Sequence, residues 1–327
     1  MATWLRLSYP HLVQAAMSDS GPLHAQVDFP EYLEVVTEAL RVQGGEECVS
    51  SVEQAMRQLV ARLDAGGAAA VSELFNTCSV LNAASPLDRA TFFWYGITES
   101  FAALVQYATP GDIPAACSTL TDASVSDPVQ RLANWIRGSS CIETRYDEVV
   151  RRHADTSLDA DDVVMRLWTY QTCVEFGWFQ STSSARQPFL DVVPQEYFQQ
   201  MCQDFYGEEF ILARTMYGAS RTNLFFTDYS LPDHVVSVQG ALDPWAPAGP
   251  RGDHARERAP VYVVPGASHC QAVRPTGASS DPQLEATKRR VLSHMIHYMT
   301  GVPPATDAAT KLTVSVLASV VALWVLM

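Results

Sequence analysis

The chain has 327 residues, 47% of them hydrophobic and 18% charged, with a formal net charge of −14 at pH 7. This length suits one large domain or two ordinary ones, with ample apolar content for a core. The acidic balance excludes nucleic acid as a partner, because nothing here neutralises a row of phosphates.

Met1–Val13 reads as the back of a helix that stops at Pro10, and a strand follows from Leu12 to Met17. That strand ends in the turn Ser18-Asp19-Ser20-Gly21-Pro22. From residue 28 to about 212 the pattern is almost wholly helical. Asp28 is placed to cap a helix, with Pro30 near the first turn and Glu31 behind it. Between Cys48 and Asp64, the residues Val52, Ala55, Met56, Leu59, Val60 and Leu63 recur at three- and four-residue spacings, which makes one continuous helical face. Ser50 or Ser51 can cap its start, and Gly66-Gly67 stops it. A further helix is predicted near Asp161–Gln180.

Strand and loop patterns return from residue 213 to 300. Two apolar runs compete for the strand before Asp243: Leu224–Tyr229, also framed as Thr222–Thr227, and Val235–Val238. Asp243 then sits in Gly240-Ala241-Leu242-Asp243-Pro244-Trp245. Val261-Tyr262-Val263-Val264 is the next strand, and His269 follows in Pro265-Gly266-Ala267-Ser268-His269-Cys270. Gln283–Met299 is the last helix. Thr300–Lys311 is a polar, small-residue spacer, and Leu312–Met327 is an apolar tail. Such an ending is a GPI-anchor signal with attachment at Gly301 or Ala305, a short membrane anchor, or a docked helix.

The seven cysteines, Cys48, Cys78, Cys117, Cys141, Cys173, Cys202 and Cys270, form no C-x-x-C pair. They are spread as structural disulfides of secretory-pathway proteins often are. The odd count fits either a lost partner or one free thiol. No charged n-region and long apolar h-region open the chain, and no N-x-S/T acceptor occurs.

An acid and then a histidine, each on a loop after a late strand, is the chain order of an α/β-hydrolase triad. The nucleophile belongs earlier, on a strand–Gly-x-Ser-x-Gly–helix turn, and no Gly-x-Ser-x-Gly occurs in this sequence. A second signature is Trp168-Thr169-Tyr170-Gln171-Thr172-Cys173-Val174-Glu175-Phe176-Gly177. With the Met1–Pro22 segment and the Asp243 and His269 loops, it resembles the lysosomal Pro-Xaa carboxypeptidase family of serine peptidases. That family includes dipeptidyl peptidase II and the thymus-specific serine protease, and the signature is most similar to the thymus-specific branch. The resemblance covers about residues 1–300.

It implies an α/β-hydrolase fold, incomplete at the N-terminus, with a helical cap inserted at residues 28–212 between the 1–27 and 213–300 parts. It implies a serine on a Gly-Gly-Ser-Tyr-x-Gly elbow, about five residues before Met1. Met1 then reads as an internal methionine or the edge of a fragment. Asp243 would orient His269, and His269 would shuttle the proton. Trp245 either walls a proline pocket or packs its loop against the core. Gln171 and Glu175, four apart on one helix face, either hold the backbone amide and α-amino group of a substrate or form a solvated or structural pair. Cys270 would be half of a disulfide pinning the histidine loop. The expected function is serine-type exopeptidase action on short peptides, near proline, in the secretory pathway, without metal or organic cofactor, in a homodimer. Carboxypeptidase and dipeptidyl peptidase action both remain open. The alternative is a catalytically inactive, membrane-tethered binding protein of the same fold.

Overall fold

The computed structural model describes residues 1–160, 162–226, 231–274 and 281–303. Helix α1 (Ala2–Ser8) ends before Pro10, whose ring and missing N–H cannot continue it. Strand β1 (Ala16–Asp19) begins later than the predicted Leu12, because its pairing starts where Ala16 meets Val235. Leu12 lies exposed in the preceding turn.

Strand β2 (Gln26–Asp28) leads into helices α2 (Glu31–Gly44) and α3 (Glu46–Asp64). Asp28 does not cap α2. Its carboxylate accepts hydrogen bonds from Ser181 and Ser183 instead. Likewise α3 starts at Glu46 behind Gly45, so Ser50 and Ser51 lie inside it. Glu46 and Glu47 supply the negative charge that the first turn favours. Ser51 donates to the carbonyl of Leu120.

The helical stretch continues with α4 (Ala68–Phe75), α5 (Pro86–Phe93), a π-helical turn at Trp94–Thr98, α6 (Glu99–Gln106), α7 (Asp112–Leu120), α8 (Pro128–Ile136) and α9 (Tyr146–His153). The helix predicted over Asp161–Gln180 divides into α10 (Val163–Gln171), a second π-helical turn at Thr172–Phe176, and strand β3 (Gly177–Phe179). β3 pairs in parallel with β2, so the stretch expected to be almost wholly helical contains a strand. Gly177 permits this. Its φ is +72°, and a Cβ there would meet the Gln26 carbonyl oxygen at 2.4 Å.

Helices α11 (Gln195–Tyr206) and α12 (Leu212–Phe226) follow. The run from Leu224 is therefore helical through Phe226 rather than a strand, and Thr227–Tyr229 lie outside the described residues. One face of α12 is committed to contacts. Thr215 and Thr222 donate to the carbonyls of Cys173 and Glu175 in the π-helical turn, and Asn223 pairs with both backbone groups of Ala25. The strand before Asp243 is β4 (Val235–Gly240), buried along its length. It lies between β1 and β5 (Val261–Val264) in a three-stranded parallel sheet. Helix α13 (Pro282–Thr300) packs on that sheet, bringing Leu284, Val291 and Tyr298 against Val236, Val238 and Val264. The molecule is thus mostly helical, with small parallel sheets.

No helix among the described residues is long and apolar enough to cross a membrane. The predicted tail, with Ala305, lies outside those residues, while Gly301 ends α13 in the left-handed conformation. Disulfides join Cys48 to Cys117, Cys78 to Cys141 and Cys173 to Cys202. Three bridges fit an oxidising, secretory-pathway environment. Cys270 remains a free thiol, which corrects its expected place in a disulfide.

The Cys48–Cys117 bridge closes a sequence separation of 69 residues. Cross-linking a loop of that size stabilises by about 4 kcal/mol through the unfolded chain. Replacing both cysteines with alanine should lower the melting temperature by roughly 10 °C. Unchanged calorimetric melting would show that the bridge contributes nothing.

Candidate active site

Strand β4 is apolar enough to run through the interior, and it delivers Asp243 to a loop at its C-terminal end. Asp243 is 0% exposed, so its charge requires partners. One carboxylate oxygen accepts the Trp245 backbone N–H at 3.0 Å, and both lie 3.1 Å from Nδ1 of His269. The adjacent strand β5 delivers His269 in the same direction. The two loops touch at Gly240, where a Cβ would sit 2.4 Å from the Ala267 carbonyl oxygen and 2.6 Å from that of Ser268. Any side chain at Gly240 would push the histidine loop away from the aspartate loop.

The histidine loop is held from two other directions. The last carbonyls of a helix lack intrahelical partners, and α6 gives its own to this loop. Ser268 Oγ donates to the Val105 and Gln106 carbonyls, and the His269 N–H donates to Gln106 at 3.3 Å. On the other side the Cys270 N–H donates to Ser20 Oγ at 2.8 Å, and the Val273 N–H to the Asp19 carboxylate at 2.9 Å. Ser20 and Cys270 both adopt the left-handed conformation, with φ of +54° and +52°. Non-glycine residues in that region concentrate where function demands a set geometry.

Burial disfavours the imidazolium of His269, but the Asp243 carboxylate and the Cys270 sulfur outweigh it, so its pKa is pushed up to about 10. With Nδ1 committed to Asp243, Nε2 on the opposite ring edge is the position for proton exchange. In its neutral form a ring held this way can take a proton from a hydroxyl and, as the imidazolium that Asp243 stabilises, return it to a leaving group.

His269 lines a cavity of about 1250 Å3. Trp245 forms part of the wall while only 7% exposed, so it both packs its loop and shapes the cavity. Its ring lies 5.5 Å from Tyr32, 5.7 Å from Phe29 and 5.4 Å from Trp178, and Tyr32 and Trp178 meet it edge to face. Its indole N–H donates to Gln106 Oε1 at 2.9 Å, which also accepts the Tyr32 hydroxyl at 2.6 Å.

Gln171 reaches the cavity wall, but Glu175 is not among the lining residues. The reason is the π-helical turn at Thr172–Phe176, whose i→i+5 winding breaks the four-residue alignment expected on an α-helix. Several cavity residues carried no motif, among them Gln106, Tyr32 and Glu99. Glu99 had one readable signal: it is the lone charge in the apolar run Ala90–Gly111. Burial pushes its pKa up to about 7.

Comparison with known proteins gives a family for the chain. The profile of the serine carboxypeptidase S28 family matches residues 1–291. A putative serine protease of Caenorhabditis elegans is 29% identical over 316 residues, covering 89% of this chain and 60% of that protein. The thymus-specific serine protease of Mus musculus is 28% identical over 311 residues, with 89% and 60% covered. The lysosomal Pro-X carboxypeptidase of Mus musculus is 23% identical over 293 residues, with 82% and 56% covered. The chain thus spans about 60% of the length of the first two of these relatives.

Replacing Asp243 with asparagine removes the principal support of the imidazolium. The His269 pKa, followed by NMR, should fall from about 10 toward or below the ordinary 6.5. Stability should follow. The raised pKa stabilises the fold fully below pH 6.5, and this contribution is lost as pH rises through about 10. The variant should lack that alkaline loss, and an identical pH profile in both proteins would contradict the coupling.

Proposed function

The chain belongs to the serine carboxypeptidase S28 family, and on that premise we propose that it acts as a serine-type exopeptidase on short peptides. The reading rests on one observation: the buried Asp243 carboxylate holds Nδ1 of His269 at 3.1 Å while the ring borders a large aromatic cavity. In this reading Asp243 fixes the tautomer, and His269 takes the proton of an attacking serine and returns it to the leaving amine. The serine is supplied by a segment outside these 327 residues, on a turn of the Gly-x-Ser-x-Gly kind that the chain itself lacks. Backbone N–H groups beside that turn would hold the oxyanion.

The architecture is that of an α/β-hydrolase, as in this family. Its sheet is represented by β1, β4 and β5, and residues 28–212 form the cap. The cap contributes α6, α10 and both π-helical turns to the cavity wall, so it would set how far a peptide enters. Trp245, flanked by Phe29, Tyr32 and Trp178, forms an apolar surface suited to a proline ring. Gln171, on the same cavity wall, would meet a backbone amide. Glu175 lies outside the lining residues, and its carbonyl anchors Thr222 of α12. The relatives named for the lysosome, together with the three disulfides, support a compartment along the secretory route.

A fluorophosphonate probe tests the reading on the full-length protein. Labelling should occur on a serine, and His269→Ala should reduce labelling and peptide hydrolysis by roughly 10⁴-fold. A folded full-length protein that ignores the probe would instead be a binding protein with a peptidase-like cleft. Trp245→Ala should reduce kcat/KM more on proline-containing peptides than on others. Equal reduction across substrates would remove Trp245 from the specificity pocket.

A further inference from the structure

Glu99 is the first residue of α6, the helix whose far end carries Gln106 and holds the histidine loop. It borders the same cavity as His269 and Trp245. Of the other charged groups on that wall, Asp162 starts α10 without a side-chain cap hydrogen bond, and several are engaged. Arg152 pairs with Glu143 at 3.1 Å, Asp19 accepts the Val273 N–H, and His269 is bonded to Asp243. Glu99 differs: among the described residues no donor or cation pairs with its carboxylate. Burial alone raises its pKa to about 7, and no basic side chain opposes the rise. An unpaired carboxylate on a largely apolar wall is costly unless something charged completes it.

The surroundings suit a cation. Tyr95 and Trp94 of the preceding π-helical turn line the cavity beside Glu99. The phenols of Tyr32, Tyr95 and Tyr197 all sense the Glu99 charge. Aromatic faces around a carboxylate are favourable to an ammonium group. The spacing then selects which ammonium. Glu99 and Gln106 are two turns apart on α6, roughly 10 Å along the axis. Gln106 lies at the level of His269, because its carbonyl accepts the His269 N–H. Two extended residues span about 7 Å, and a charge-assisted hydrogen bond adds about 2.8 Å.

We propose that Glu99 receives the free α-ammonium group of a peptide, so that the carbonyl of the second residue lies at His269. This rests on the exopeptidase reading above and gives it a direction: dipeptides are released from the amino end. The α-amino contact that the resemblance offered for Glu175 falls in this proposal to Glu99 of α6.

The test uses full-length wild type and Glu99→Gln, with matched melting temperatures. Calorimetry with Ala-Pro and N-acetyl-Ala-Pro reads binding, and the corresponding fluorogenic Ala-Pro amides read hydrolysis. Wild type should favour the free amine. Glu99→Gln should weaken binding and kcat/KM for the free amine by on the order of 10- to 100-fold, leaving the acetylated ligand unchanged. Equal weakening of both ligands, or no preference in wild type, would overturn the proposal. Glu99-dependent binding of Ala-Pro without hydrolysis or fluorophosphonate labelling would leave this site standing and reject the serine-peptidase reading.

Discussion

A carboxylate buried to 0% exposure must be completed by donors, and the completion of Asp243 organises this molecule. Its partners are the Trp245 N–H and Nδ1 of His269, which arrive from two loops at the ends of neighbouring parallel strands. Parallel pairing of β4 with β5 places both loops on one side of the sheet. Gly240 lets them touch. The turn after β1 closes the third side through Ser20 and Asp19. Each of these features brings a basic ring to a carboxylate that has no access to water.

The helical residues are tied to this pair by backbone chemistry as well as by shape. The carbonyls that α6 leaves unbonded at its C-terminus are taken up by Ser268 and His269. The Gln106 side chain meanwhile joins Trp245 to Tyr32 of α2. One helix therefore fixes the histidine loop, anchors the aromatic wall and carries the cavity carboxylate at its other end. On the proposed reading, the same rigid element would set substrate length and acid–base geometry, with a fixed register between a bound end group and the reacting carbonyl.

Much of this was legible in the sequence. The uncharged runs at Val235 and Val261, each followed by a loop with Asp or His, specify two strands, the first buried along its length, and the pair they position. The face built by Val52, Met56, Leu59 and Leu63 specifies α3, and all four side chains are buried. What escaped depends on contacts between distant segments. Asp28 satisfies the helix-cap pattern, but the hydroxyls of Ser181 and Ser183 compete for it. The apolar run at Leu224 suits a strand, yet Thr215 and Thr222 tie its helix to the π-helical turn and Asn223 ties it to Ala25. That turn also separates Gln171 from Glu175, because helical spacing in sequence presumes an α-helix. Gln106 acts mainly through its position at a helix end, which no local pattern reveals.

The central claim is that Asp243 and His269 serve a serine that attacks a peptide carbonyl. The most direct measurement is a crystal structure of the full-length protein after reaction with an Ala-Pro phosphonate ester. The expected result is a covalent adduct on a serine Oγ within about 2.6–3.2 Å of His269 Nε2. An adduct on a residue remote from His269, or an unreacted cavity, would contradict the account.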